Sequence, residues 1–108
     1  MISVTHFQAR EDSFAERGAT ALRALARRPG YLSGKLARST DSLDRWVLIT
    51  EWENVGSYRR ALGAFEVKLR ATELFGAAVG SPDLPSAFEA LVEALPGGEA
   101  VLRPSDHE

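Results

Sequence analysis

The stretch "RWVLITEWENVGSYRRAL", residues 45 to 62, restricts the possible folds more than any other part of the chain. Its first half alternates as a strand does. Trp46, Leu48, Thr50 and Trp52 share one parity, and Val47 and Ile49 share the other. Successive side chains of a strand point to opposite faces, so both faces here are apolar. A helix opens at once after the second Trp. Asn54 suits its N-cap, where a side-chain oxygen accepts a backbone N–H. Val55, Tyr58, Leu62, Phe65 and Leu69 then recur at three- and four-residue steps, which predicts a helix to about residue 75 that Gly63 breaks into two pieces. A strand with two apolar faces needs two covers. The chain's helices supply one. No element remains for the other, so a second copy stacked sheet to sheet is expected, giving a two-fold homodimer. The alternative is an open face left mostly to solvent, since monomers also carry apolar surface.

The remaining segments complete a β-α-β-β-α-β order. "ISVTHFQ", residues 2 to 8, is rich in β-branched and aromatic residues and reads as a strand. Ser13 and Glu16 fit a capping box, with a helix from about 13 to 27 that "RRPGY" ends. "YLSGKLARS" predicts a second strand, in which Gly34 marks a bulge or a close approach. "TDSLD" is turn chemistry and favours a hairpin to the third strand. "GAAVGSPDLPS" reads as a loop. "AFEALVEA", 87 to 94, reads as the last strand, although its Ala and Glu content would also suit a helix. "LPGG" closes a domain spanning residues 1 to 94, and 95 to 108 is a polar tail. The order is that of a ferredoxin-like α+β fold: an antiparallel sheet with both helices on one face.

Bulk properties exclude several functions. With 108 residues, one domain is expected. Thirteen Lys and Arg against fifteen Asp and Glu give a formal charge of −2, and the Arg residues are scattered. No nucleic-acid footprint is present, since that needs a clustered basic surface. There is no cysteine, hence no disulfide, thiolate nucleophile or Cys-based metal site. Neither a clustered His/Asp/Glu set nor a Gly-rich dinucleotide turn appears, so no metal and no cofactor are expected. No apolar run approaches the ~20 residues that span a bilayer. "MISVTHFQAR" has no leader pattern, and a cytoplasmic location is expected.

Trp52 ends the third strand beside a helix N-terminus, and Tyr58 lies one turn into that helix. The pair is placed to form one wall of an apolar pocket with a polar tip; the alternative is that Trp52 plugs the end of the core. Trp46 reads as packing. His6 shares parity with Ile2 and Val4, and an imidazole's unperturbed pKa suits a base near neutrality. A satisfied core histidine is the competing reading.

"WVLITEWENVGSYRRAL", with "RPGY" before it and "SAFEALVEA" after it, resembles the antibiotic biosynthesis monooxygenase family over about residues 1 to 94. The most specific part is an apolar strand ending in Trp-Glu, followed by a helix with an aromatic at Tyr58. The resemblance implies a dimeric α+β barrel of ferredoxin-like fold and two chemistries. Some members oxidise polycyclic phenols with O₂ and neither metal nor flavin. Others degrade haem with a strand-one Asn, a Trp matching Trp52 and a second-helix His. Here the second helix has no His, and the first strand has no Asn. Cofactor-free oxygenation of a small planar aromatic substrate is the implied activity. Trp52 would stack on the substrate, Tyr58 would hydrogen-bond its oxygen, and His6 would act as base. Arg38 and Asn54 are candidate phenolate or water partners, with Phe65 and Leu69 as further substrate contacts. The competing hypothesis is a non-catalytic dimeric binding module, since one fold hosts many functions. A cavity lined by Trp52, Tyr58 and His6 favours the enzyme. A gap filled by Phe65, Leu69 and Phe88 favours the module.

Overall fold

The computed structural model describes residues 1–10, 13–76, 78–80 and 85–104. Three long strands form the centre of the sheet: β1 (Ile2–Gln8), β2 (Tyr31–Arg38) and β3 (Arg45–Trp52). β1 pairs antiparallel with β3, with Val4 opposite Ile49 and His6 opposite Val47. β2 pairs antiparallel with the other edge of β3. Two short pieces, β4 (Ala78–Val79) and β5 (Ala87–Phe88), add to the free edge of β1. The order is β2-β3-β1-β4. Together with helices α1 (Phe14–Ala26), α2 (Val55–Gly63) and α3 (Phe65–Phe75), this is the α+β, ferredoxin-like architecture expected.

The core lies between the helices and one sheet face. Phe7, Leu48, Thr50 and Trp52 from the sheet are fully buried, as are Phe14, Leu25, Val67 and Leu74 from the helices. All four sheet residues have the parity that strand alternation assigns to one face. Phe14 joins the Phe7 and Trp46 rings, at 5.5 and 5.1 Å between centroids. The Trp46 indole N–H donates to the Ala9 carbonyl at 3.2 Å.

Several local expectations change. Ser13 makes no side-chain cap, because its backbone is already helical (φ −73°, ψ −6°); its carbonyl accepts from Arg17 instead. Asn54 does cap α2, accepting from the Ser57 N–H at 2.8 Å in an extended conformation. The long second helix is broken, and the break falls at Ala64, whose backbone is extended (φ −70°, ψ 140°). It rotates the apolar stripe: Val67, Ala71 and Leu74 of α3 go inward, while Phe65 and Leu69 stand 80% and 60% exposed. The single strand expected over 87–94 is two pieces. β5 pairs with β1, and β6 (Val92–Ala94) leaves the sheet to pair with β7 (Ala100–Leu102). Residues 100–102, expected in a polar tail, thus form the second arm of a hairpin turned by Gly97 and Gly98, both at positive φ. Residues 78–79, expected in a loop, are the short strand β4.

Candidate active site

Trp52 anchors a cluster of aromatic and hydroxyl groups where β3 meets α2. Its side chain is 0% exposed. The indole N–H donates to Thr50 Oγ1 at 2.8 Å, and Thr50 Oγ1 lies 3.1 Å from Ser3 Oγ. A buried indole needs such a partner, and strand alternation supplies it, since Thr50 and Trp52 are two residues apart on one face. Tyr31 meets the indole edge-on, at 5.3 Å and 87° between rings. Tyr58 lies on another side of it, at 5.8 Å and 52°. The expected pairing of Trp52 with Tyr58 is present. Tyr31 is the member that sequence reasoning missed. Burial raises the Tyr31 phenol above its ordinary pKa, so the group is a neutral hydrogen-bond donor at physiological pH.

Half-buried Leu22, Leu36, Val55 and Leu62 pack against the core to which Trp52 belongs. They come from α1, β2 and α2. α1 packs extensively on α3 and β2, whereas α2 meets the end of β3 and the start of α3 only sparsely. Trp52 is fully covered, Tyr31 and Tyr58 are half-buried, and α2 is the most sparsely packed of the three helices.

His6 stands apart from this cluster. It is exposed, opposite Val47 on β3 and Val79 on β4. Its parity is that of Ile2 and Val4, the reverse of Phe7, so it projects from the sheet face opposite Trp52. A cavity of about 270 Å³ at this end of the sheet is lined by residues of both parities: His6, Ala37 and Val47 of the open face and Phe7, Arg38 and Trp46 of the helix side, with Ser39 and Arg45. The Arg38 guanidinium sits 5.5 Å over the Trp46 ring. The structure therefore brings Trp52 and Tyr58 together, with Asn54 capping the same helix. It gathers His6 and Arg38 at a second location, and leaves Phe65 and Leu69 in neither. Phe88, which was to fill a gap in the alternative reading, is 44% exposed on β5.

The His6 face is the one that strand three predicted would need a cover. Ile2, Val4, Val47, Ile49, Val79 and Phe88 fall on it by register, and Ile49 remains 38% exposed. Among the described residues, no three His, Asp or Glu side chains are grouped to hold a metal ion, and no helix is long and apolar enough to cross a membrane.

Comparison with known proteins agrees with this architecture. No curated protein matches the chain. Among solved structures, SnoaB from Streptomyces nogalater, described as a cofactor-independent oxygenase, superposes with a TM-score of 0.67 at 26% identity, covering 83% of this chain and 94% of that one. A point mutant of SnoaB matches over 99% of this chain and 93% of its own, at TM-score 0.66 and 21% identity. A conserved protein from Methanosarcina mazei Go1 shares the fold, with TM-score 0.62, 12% identity and coverage of 74% and 81%. The family model for antibiotic biosynthesis monooxygenases matches residues 1–74, a span from β1 to the last turn of α3. The chain belongs to the antibiotic biosynthesis monooxygenase family.

Proposed function

We propose that this protein is a cofactor-independent monooxygenase, acting on a small planar phenol or quinol with O₂. The observation that carries the reading is the packing of Tyr31 and Tyr58 around the buried Trp52 indole, in a chain 26% identical to the cofactor-independent oxygenase SnoaB. Such a reaction asks little of the protein beyond a dry apolar site and donors for a phenolate. In an anthrone-type substrate, the ring methylene becomes a carbonyl. Two C–H bonds break, one oxygen atom of O₂ enters the product, and the other leaves as water. The substrate supplies all four electrons. Trp52 gives a flat surface for stacking. The Tyr58 hydroxyl donates to the phenolate oxygen, and hydrogen bonds to an anion favour its formation.

We assign His6 to the opposite sheet face rather than to proton transfer beside Trp52. In our reading a second copy covers that face, sheet on sheet, and buries Ile2, Val4, Val47 and Ile49 in a two-fold dimer. The experiment that tests the activity is turnover of 1,8-dihydroxyanthrone under ¹⁸O₂. One labelled atom in the product carbonyl is expected. Product oxygen drawn from water would overturn the reading. The complete burial of Trp52 favours a second reading, a dimeric binding module. In that case the same anthrone is bound but not consumed.

A further inference from the structure

We infer that Tyr31 is a further substrate-contacting residue of this site, its phenol hydroxyl donating to the substrate's phenolate beside Tyr58; this rests on the oxygenase reading above. Three separate features of the chain deliver that hydroxyl. The first is a register shift. In an unbroken strand, residue 31 would share the open face with Ser33, Lys35 and Ala37. Pairing instead runs Tyr31 to Trp52 and then Ser33 to Glu51, with Leu32 as the extra residue. The bulge turns Tyr31 to the helix side, against Trp52, while Leu32 stays exposed. Bulges bend a strand locally and re-aim a side chain in this way. The second is Gly34. A Cβ there would lie 2.5 Å from the Tyr31 hydroxyl oxygen and 2.7 Å from Leu22 Cδ1, so any larger residue would push the phenol or Leu22 aside. The third is the edge-on contact with Trp52, 5.3 Å at 87°, which fixes the ring's orientation.

Packing alone would be met by a phenylalanine in the same place; the tyrosine adds a hydroxyl donor beside the indole. The placement puts the hydroxyl over Gly34 on the helix side of the sheet, next to the ring that stacks on the substrate. Burial raises the phenol's pKa and keeps its proton available for donation. Tyr31 and Tyr58 each pack a ring against the indole, so a substrate stacked on it would meet two phenol donors in this proposal.

The test uses the full chain with 1,8-dihydroxyanthrone as substrate and 1,8-dihydroxyanthraquinone as a non-reacting ligand. Tyr31→Phe should fold with an unchanged circular dichroism spectrum and lower kcat about tenfold at near-constant KM, the loss of one hydrogen bond that strengthens in the transition state. The visible band of bound anthraquinone reports its ionisation, whose midpoint should rise by about one pH unit when a donor is removed. Gly34→Ala should reproduce the loss with Tyr31 still present, by displacing its ring. The double variant should be no worse than either single one. If wild type binds and oxidises these compounds while Tyr31→Phe changes neither kcat nor the ionisation midpoint, the role of Tyr31 is overturned and the oxygenase reading stands. Wild type that neither binds anthraquinone nor oxidises the anthrone overturns both.

Discussion

Replacing Ile49 by Asp should separate the proposed dimer while leaving the domain folded. Ile49 sits at the middle of β3, with Val4 on one side and Lys35 on the other. It is 38% exposed in the single chain. Fully burying an Ile side chain contributes about 1.5–3 kcal/mol, so covering the exposed part contributes about 0.5–1 kcal/mol per copy. A two-fold interface counts each change twice. The introduced carboxylate costs more than the lost apolar contact, since an ion held away from water without a full set of partners costs several kcal/mol. Two copies bring the loss to about 5 kcal/mol or more, which raises Kd by a factor of about a thousand or beyond. In the monomer the cost is small. The introduced carboxylate stays partly in water and gains Lys35 across the strand, an opposite-charge pair that contributes about 0.2–1 kcal/mol. Sedimentation velocity at micromolar concentrations should show wild type as a dimer and Ile49→Asp as a monomer, with melting temperatures close together. Wild type that sediments as a monomer throughout, or an Ile49→Asp variant that remains a dimer, refutes the reasoning.

Trp52→Ala should destabilise the domain by about 3–5 kcal/mol, because a fully buried indole leaves a cavity; thermal melts would read this, and Trp52→Phe is the variant to use for kinetics. Asn54→Ala removes the acceptor for the Ser57 N–H and should cost about 1 kcal/mol, seen as a fall in Tm of about 4–8 °C, with Asn54→Asp keeping most of the stability. The hydrogen bond from Gln8, at 3.0 Å, holds the Asp44 carboxyl below its ordinary pKa, with Arg10 and Arg45 acting in the same direction. Its contribution to stability is therefore present above the unfolded pKa and is lost as pH falls through the folded value. Acid unfolding curves should lose a small part of their pH dependence in Asp44→Asn.

Fold and site differed in how far the sequence revealed them. The central strands were legible because alternation has a strict period of two, and Trp46, Leu48, Thr50 and Trp52 keep it without a break. Asn54 was legible because a cap is a local event, complete within four residues. Phe65 and Leu69 were misplaced because periodicity carried across Ala64, where one extended residue resets the helical phase. His6 had the parity to leave the core, but parity alone does not say which face the helices cover. Tyr31 was hidden for the opposite reason. Its parity in the sequence is that of the open face, and only the bulge at Leu32 reverses it. The signal that points to it is Gly34, three residues on, where a Cβ would run into the Tyr31 hydroxyl. The hairpin of β6 and β7 escapes a reading of 87–94 as one strand, because Glu89, Ala90 and Leu91 fall outside both of its pieces.

The most direct test of the central claim is oxygen uptake by the purified protein with 1,8-dihydroxyanthrone, in a metal chelator and without any added cofactor. Oxygen consumption stoichiometric with anthrone loss and well above the uncatalysed rate is predicted. It should fall sharply in Trp52→Phe and Tyr58→Phe while both variants stay folded. Uptake no faster than in buffer, or uptake that both substitutions leave unchanged, contradicts the account.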